Sequence, residues 1–244
     1  MFKKIQNLTV GILTCDQSST YEKTIKSLLD QEYQPAEIII IRNITPVSKA
    51  VFNLINKTVT EYVVILDDDM TFIHPDALKN FVFEIDTKKI DEVIFMLEDP
   101  IFGKIKGIRI YRTDEIKSIL NTLIIDKDWD VDINKKLKEK NTSLTIDIIV
   151  GKHHEEWTSI DLYWKMFTIA KKLKLQNNEH KLGWIKRHIN SLIKIKENEQ
   201  LILFAFSGFI DGIRDDKKEY FLSYENKFNN PLFKEIEDYV NPNR

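Results

Sequence analysis

Three consecutive carboxylates, Asp67, Asp68 and Asp69, follow an apolar segment that ends at Leu66. Adjacent carboxylates repel one another, and burial makes each harder to ionise unless a cation or several hydrogen-bond donors compensate. Aspartate oxygens are hard ligands that suit Mg²⁺ or Mn²⁺ in sites completed by water and substrate phosphate. The alternative is a solvated turn, where Asp is common. Because the triplet comes directly after a predicted buried strand, the metal site is the favoured interpretation.

Alternating strand and helix patterns position this triplet. Strands are predicted at 9–13, 37–42 and 62–66, and helices after a capping-box spacing at 19–22 and after Pro46. Three strands separated by two helices indicate a parallel sheet with right-handed crossovers. The isoleucine run at 37–42 predicts a strand that is covered on both faces. Ligands of open α/β sheets collect at the carboxyl ends of strands, where the triplet lies.

The later segments extend this pattern and then change it. The patterns predict further strands and helices, namely a helix after 74–76, strands at 92–97, 106–112 and 144–150, and helices at 113–123 and 131–140. From Trp157 onward only helices are predicted. We therefore expect an α/β domain over 1–155 and a helical carboxyl-terminal extension over 156–244 that packs on it.

Composition excludes several classes of protein. Of the 244 residues 43% are hydrophobic and 30% charged, which is typical of a soluble globular protein, and the net charge of -2 gives no reason to bind nucleic acid. Cys15 is the only cysteine, so a disulfide framework is excluded and a reducing compartment fits. The amino terminus lacks a signal-peptide pattern, and the apolar run at 201–210 is half of the roughly 20 residues that span a bilayer. We expect a cytoplasmic protein.

The segment from His180 to Lys196 has two interpretations. It contains no acidic residue and has apolar residues at helical spacing, with Lys181, Lys186, Arg187 and Lys194 as further cations. Such a helix can lie peripherally on an anionic membrane, here the inner face. Alternatively, the apolar stripe packs on the α/β domain, which is the favoured interpretation because such stripes are the usual signature of core-facing helices.

The order and spacing of these segments resemble the family 2 glycosyltransferases of GT-A fold. The stretch LTVGILTCDQSSTYEKTIKSLLDQEYQPAEIIIIRN and the later VSKAVFNLINKTVTEYVVILDDDMTFIHPDAL are similar to their nucleotide-binding half. GIRIYR, WDVDINKKLKEKN, LTIDIIVGKHH and FSGFIDGIRDDKK resemble later segments of the family. The resemblance implies a Rossmann-like, mainly parallel sheet flanked by helices, with a nucleotide-sugar half over about 1–100 and an acceptor half over about 101–155.

This resemblance also implies a metal site. Asp67 and Asp69 would form an Asp-x-Asp pair that holds Mn²⁺ or Mg²⁺ on the diphosphate of a nucleotide sugar, and Asp68 would lie near the ribose. His153 and His154 fall where the family places a metal-binding histidine. Because neighbouring side chains of a strand point to opposite faces, at most one should reach the ion, and His153 is favoured.

Other positions that match the family imply donor and acceptor contacts. Thr14 and Asn43 end the first two strands, where the nucleotide base is contacted, and Asn53 lies on the Ala/Asn-bearing helix. Asp130 would be the general base of an inverting displacement, although a carboxylate at a helix start can also simply stabilise the helix dipole. The implied donor is a UDP-sugar, with dTDP- and GDP-sugars as alternatives, and the implied acceptor is a glycan or glycolipid.

Two other functions stay open. A nucleotidyltransferase also uses a carboxylate-bound metal on an α/β sheet, but it would normally show a Gly-rich basic loop after the first strand, and GILTCDQSSTYEK has none. A GT-A-like module that binds without catalysis is harder to separate by sequence.

Overall fold

The computed structural model describes residues 3–15, 20–122, 129–153, 159–175, 177–193 and 199–214. The chain divides into two compact units, Met1–Glu155 and Glu156–Arg244. Strands and helices alternate in the first unit, whereas the described part of the second unit is helical.

The described residues of the first unit form seven strands and five helices. The strands are β1 (Lys3–Thr14), β2 (Tyr33–Arg42), β3 (Tyr62–Asp67), β4 (Met70–Phe72), β5 (Glu92–Asp99), β6 (Gly103–Arg112) and β7 (Ser143–His153). The helices are α1 (Tyr21–Leu29), α2 (Val47–Lys57), α3 (Ala77–Lys88), α4 (Thr113–Leu120) and α5 (Trp129–Glu139).

The strands form one sheet in the order β2-β1-β3-β6-β5-β7-β4. β1 pairs in parallel with β2 and β3, and β5 pairs in parallel with β7. Because β6 is antiparallel to both β3 and β5, those two strands point the same way. Five strands therefore end at one edge, called the carboxyl edge below, and only β4 and β6 run in the opposite direction. The predicted mainly parallel sheet is confirmed.

Helices cover both faces of this sheet. Val64 of β3 packs in one buried cluster with Leu28 of α1 and Phe81 of α3. Ile65, the next residue, packs in a second cluster with Leu54 of α2 and with residues of α4 and α5. β3 is buried on both faces and apolar as far as Leu66, and Asp67 marks the point where it reaches the carboxyl edge.

Two details of the first unit differ from the sequence prediction. β2 is an edge strand of the sheet and Ile40 is 36% exposed, so one face of the isoleucine run is only partly covered. The run reflects strand preference, which does not specify the position of a strand in the sheet. Helix α1 begins after Thr20, whose side chain makes no capping hydrogen bond, and Ser19 of the predicted capping box lies outside the described residues.

The second unit contains α6 (Ser159–Leu175), α7 (Glu179–Ile193) and α8 (Glu199–Arg214). α6 and α8 pack so closely at Gly208 that a Cβ atom there would lie only 2.0 Å from the carbonyl oxygen of Tyr163. The Tyr163 hydroxyl also donates a hydrogen bond to Asp211 Oδ2 at 2.9 Å.

Helix α7 contacts both α6 and α8. Leu182 and Ile185 of its apolar stripe are buried, whereas Lys181, Trp184 and Arg187 are exposed. Within the second unit the stripe is therefore a packing face, and its packing on the α/β domain stays a prediction. Among the described residues, no helix is both long enough and apolar enough to cross a membrane.

Candidate active site

The three aspartates of the triplet lie in different surroundings, because the chain turns between β3 and β4. Asp67 is exposed at the end of β3. Asp68 Oδ2 accepts hydrogen bonds from Thr14 Oγ1 at 2.7 Å and from the backbone N–H of Cys15 at 3.3 Å. Asp69 Oδ2 lies 3.4 Å from Nε2 of His153. Donors at the end of β1 thus compensate the charge of Asp68, whereas Asp69 faces an imidazole nitrogen that bears a positive charge only when His153 is protonated.

A buried carboxylate, Asp99, orients His153. Asp99 ends β5 and is 2% exposed, and its Oδ2 lies 2.7 Å from Nδ1 of His153. Its Oδ1 accepts hydrogen bonds from the backbone N–H groups of Ile101 and Phe102, at 2.8 and 2.7 Å. Burial raises the pKa of Asp99, but the hydrogen bonds from His153 and the two amides outweigh it, so the pKa lies below its ordinary value. Asp99 therefore stays ionised and accepts the Nδ1 proton, which turns Nε2 toward Asp69.

The short strand β4 brings the turn onto β7. Met70 pairs with His153, and Phe72 pairs with Gly151. A Cβ atom at Gly151 would lie 2.1 Å from the carbonyl oxygen of Thr71, so β4 can approach this closely only because residue 151 is glycine. The pairing places Asp69, which directly precedes β4, beside the last residue of β7.

Asp69 and His153 can provide two ligands to a divalent cation. Ligand atoms about 2.1 Å from an octahedral ion lie about 3 Å apart when they are adjacent, and the observed separation is 3.4 Å. The Asp99–His153 hydrogen bond is the kind of outer contact that fixes the tautomer of a ligating histidine. No group of three or more His, Cys, Asp or Glu side chains with metal-binding geometry occurs among the described residues. An ion here would therefore complete its shell with water and phosphate oxygens, as Mg²⁺ usually does.

Two of the residues predicted to contact the nucleotide lie together at the carboxyl edge. The backbone N–H of Asn43 donates to the carbonyl oxygen of Thr14 at 3.0 Å. Asn43 has φ +54°, a left-handed conformation that Asn tolerates better than most residues. Asn53 is exposed in the interior of α2, about 9 Å along the helix from its first residue. His154 lies outside the described residues.

Asp130 belongs to a chain of charged side chains that begins where the parallel strands start, at the end of the sheet opposite the carboxyl edge. Glu92, the first residue of β5, is fully buried, and its Oε1 accepts a hydrogen bond from Arg109 Nη1 at 2.8 Å. Arg109 Nη2 donates to Asp130 Oδ2 at 3.1 Å. Glu92 Oε2 accepts from Asn134 Nδ2 and Ser143 Oγ, each at 2.5 Å. One arginine therefore links a buried carboxylate to the predicted base.

Asp130 occupies the first turn of α5, and its side chain is 40% exposed. α5 is followed by β7, which begins beside the first residue of β5. The helix therefore runs against the strands, and its first turn is the part nearest the carboxyl edge. A carboxylate that is partly exposed there can meet a hydroxyl group that arrives from solvent.

Sequence patterns did not predict three residues of the site, Asp99, Glu92 and Arg109. Asp99 carried a signal, since it ends the apolar strand EVIFMLED as Asp67 ends YVVILD. Glu92 and Arg109 lie in largely apolar strands, where a buried charge must be paired. Their partners are distant in sequence and could not be named in advance.

Comparison with solved structures shows the fold. The chain is similar to the mannosyltransferase PcManGT from Pyrobaculum calidifontis in complex with GDP-Man and Mn²⁺, with a TM-score of 0.53 and 11% identity over 96% of this chain and 83% of that chain. It is also similar to S. aureus TarS 1–349 in complex with UDP, with a TM-score of 0.50 and 13% identity over 85% of this chain and 89% of that chain. No family model and no curated protein matches the sequence. These likenesses confirm the predicted GT-A fold.

Proposed function

We propose that this chain is an inverting, metal-dependent glycosyltransferase that moves a sugar from a nucleotide sugar to a glycan or lipid-linked saccharide, in the synthesis of cell-surface polysaccharides or glycoconjugates. The observation that carries the proposal is the arrangement of Asp69, His153 and Asp99 at the carboxyl edge. The fold supports it, because the structure of PcManGT, which has the same fold, contains GDP-Man and Mn²⁺.

The donor would bind along the carboxyl edge of the sheet. In the proposal Asp69 and His153 hold the divalent cation, with Asp67 as the second carboxylate of the Asp-x-Asp pair. When bound, the cation supplies positive charge that neutralises the leaving diphosphate. Thr14 and Asn43 would contact the nucleotide. Asn53 is a further candidate for this contact, although it lies in the interior of α2.

Asp68 would contact the ribose of the donor. Its Oδ2 is already fixed by Thr14, so the carboxylate is oriented before any ligand arrives. A UDP-sugar is the first donor to test, followed by dTDP- and GDP-sugars.

Asp130 would act as the general base of the transfer. It would take the proton of the acceptor hydroxyl while that oxygen bonds to the anomeric carbon and the bond from this carbon to the diphosphate breaks on the opposite side. Arg109 binds one oxygen of Asp130, and the other oxygen has no hydrogen-bond partner among the described residues. That second oxygen is the proposed proton acceptor.

The test is release of the nucleoside diphosphate from a panel of UDP-, dTDP- and GDP-sugars, with and without Mn²⁺ or Mg²⁺. We expect release from one class of donor, only with metal, and a loss of about 100-fold or more in Asp69→Asn. Asp147→Asn is the matched control, because Asp147 is a largely exposed carboxylate on the same strand as His153.

Two results would contradict the proposal. Formation of pyrophosphate from a nucleoside triphosphate and a sugar phosphate would identify a nucleotidyltransferase. No turnover and no thermal shift with any donor would favour the non-catalytic module.

A lipid-linked acceptor would bring the chain to a membrane surface. The exposed side of α7, with Lys181, Trp184 and Arg187, offers cations beside an aromatic ring, a combination suited to an anionic interface. Co-sedimentation with anionic vesicles tests this contact, and failure to sediment would remove it from the proposal.

A further inference from the structure

The buried side chain of Glu92 is the centre of a network of hydrogen-bonded polar side chains. Its carboxylate accepts hydrogen bonds from Arg109 on β6, Asn134 on α5 and Ser143 on β7. A buried ion pair is tolerated only when such hydrogen bonds satisfy its remaining polar atoms. Three separate elements supply donors to Glu92, so this network is unlike an incidental surface ion pair.

We infer that Arg109, held in place by Glu92, is a positioning residue for Asp130. Its Nη1 binds Glu92 and its Nη2 binds Asp130, so the planar guanidinium fixes the orientation of both carboxylates. Asn134 lies one helical turn after Asp130 and also binds Glu92, so α5 is attached at two successive turns. The inference rests on the proposed function, in which Asp130 is the base.

Charge explains why a second carboxylate accompanies the arginine. The Arg109 side chain is 12% exposed and that of Glu92 is fully buried, whereas Asp130 is 40% exposed. Attraction between charges is stronger in the interior than at a solvated surface, so Glu92 offsets much of the positive charge of Arg109. Asp130 therefore receives an orienting hydrogen bond without a full uncompensated cation beside it.

Other charged and titratable groups also act on Arg109. Burial lowers the pKa of Arg109, but Tyr111, Glu92 and Asp130 raise it more, so the guanidinium stays charged. Lys106 on β6 and Lys138 on α5 add two cations to the surroundings. Burial lowers the pKa of Lys106, and repulsion from Lys138 and Arg109 lowers it further.

The test compares Glu92→Gln and Arg109→Lys with Arg112→Lys, an arginine of the same strand whose partners are Glu61, Asp86 and Asp91. In Glu92→Gln the positive charge of Arg109 acts on Asp130 alone. We expect kcat to fall about tenfold and the acidic limb of the pH profile to move to lower pH, with donor KM within about twofold of wild type.

Arg109→Lys keeps the positive charge but loses the planar guanidinium, whose two Nη atoms bind Glu92 and Asp130 at once. We expect kcat to fall about tenfold while the acidic limb and donor KM stay near wild type. Arg112→Lys should match wild type in all three measurements. Wild-type kcat and pH profile in both network variants, or a rise in donor KM alone, would overturn the inference.

A double variant keeps the test valid if a single variant does not fold. Arg109→Met with Glu92→Leu removes both charges and leaves no unpaired ion of this pair in the interior. It should bind the donor like wild type and transfer sugar at least tenfold more slowly. Normal transfer by this folded variant would overturn the positioning role.

The orientation of the Asp130 carboxylate in a crystal structure of Arg109→Lys separates this inference from the proposed function. The carboxylate should lose its wild-type orientation even if no donor is ever turned over. A missing transferase activity together with a displaced carboxylate would contradict only the function. An unchanged orientation of Asp130 in a protein that transfers sugar would contradict only the inference.

Discussion

Neighbouring carboxylates in the acidic triplet have separate surroundings because the chain turns between them. Asp68 is bound by Thr14, at the end of β1, and Asp69 faces His153, at the end of β7. Between β1 and β7 lie three other strands of the sheet, β3, β6 and β5. A turn of two residues thus connects a group that can contact a nucleotide with a group that can contact a metal ion.

Removal of the Thr14 hydroxyl tests the first of these contacts. In Thr14→Val, Asp68 loses its 2.7 Å hydrogen bond and keeps only the 3.3 Å hydrogen bond from the backbone N–H of Cys15, so its orientation is held less firmly. A hydrogen bond to a charged group contributes about 1.5–3 kcal/mol, so we expect donor KM to rise by about tenfold while kcat changes by less than about twofold.

Steady-state kinetics at saturating metal measure this effect. Thr14→Ser retains the hydroxyl and should behave like wild type. A fall in kcat at unchanged donor KM would instead show that Thr14 acts on the chemical step.

The sequence predicted this part of the site better than the base. Three adjacent aspartates after an apolar strand marked the carboxyl edge, because the edge is where a buried strand becomes polar. The partner of Asp130 was not predictable, since Arg109 lies 21 residues earlier and only the packing of α5 on the sheet brings them together. The role of Asp130 as a base stays a prediction.

At the scale of elements, the pairing of β4 with β7 sets the distance between Asp69 and His153. Gly151→Ala should disrupt this pairing, because the new Cβ would meet the backbone oxygen of Thr71 at 2.1 Å and backbone cannot swing away as a flexible side chain can. We expect a loss of about 1–3 kcal/mol in the free energy of unfolding and weaker Mn²⁺ binding.

Urea unfolding and a Mn²⁺ titration measure the two effects. Gly183→Ala in α7 is the control, because its Cβ would meet only Arg187 Nη1, at 3.4 Å. Alanine is favoured over glycine in a helix by up to about 1 kcal/mol, so stability should stay equal or rise. Unchanged stability and Mn²⁺ binding in Gly151→Ala would mean that β4 does not set the site geometry.

Which elements were predicted follows from their length. Helices such as α2 and α3 show several turns of apolar periodicity, and β3 is a continuous apolar run. β4 has three residues, which is too short for any periodicity, and it was missed. β4 contributes to the site through its backbone pairing with β7, which the glycine opposite it permits.

At the scale of the whole molecule, the sheet order required long-range information. Alternation of strands and helices predicted a mainly parallel sheet, but not that the antiparallel β6 lies between β3 and β5. Local patterns report which face of a strand is covered and say little about which strand lies beside it. The first compact unit contains two buried tyrosines, Tyr62 and Tyr111, and the second contains Tyr163.

These tyrosines predict how stability depends on alkaline pH. Burial raises the pKa of all three, and hydrogen bonds to carboxylates raise the pKa of Tyr62 and of Tyr163 further. A raised pKa in the folded state means that the native protein holds the phenolic proton more tightly than the unfolded chain. This stabilisation is complete below the ordinary value of 10.0 and decreases as pH rises above it.

We therefore expect the Tm to stay level from about pH 7 to about pH 9 and to fall above about pH 10. Tyr111→Phe and Tyr163→Phe should each make the fall shallower, measured by calorimetry. If the units unfold in separate transitions, each variant should act only on the transition of its own unit. Tyr33→Phe is the control, because a hydrogen bond from Lys3 lowers the pKa of Tyr33 and its loss cannot make the fall shallower. Equal slopes in wild type and both variants would show that these tyrosines do not set the alkaline limit.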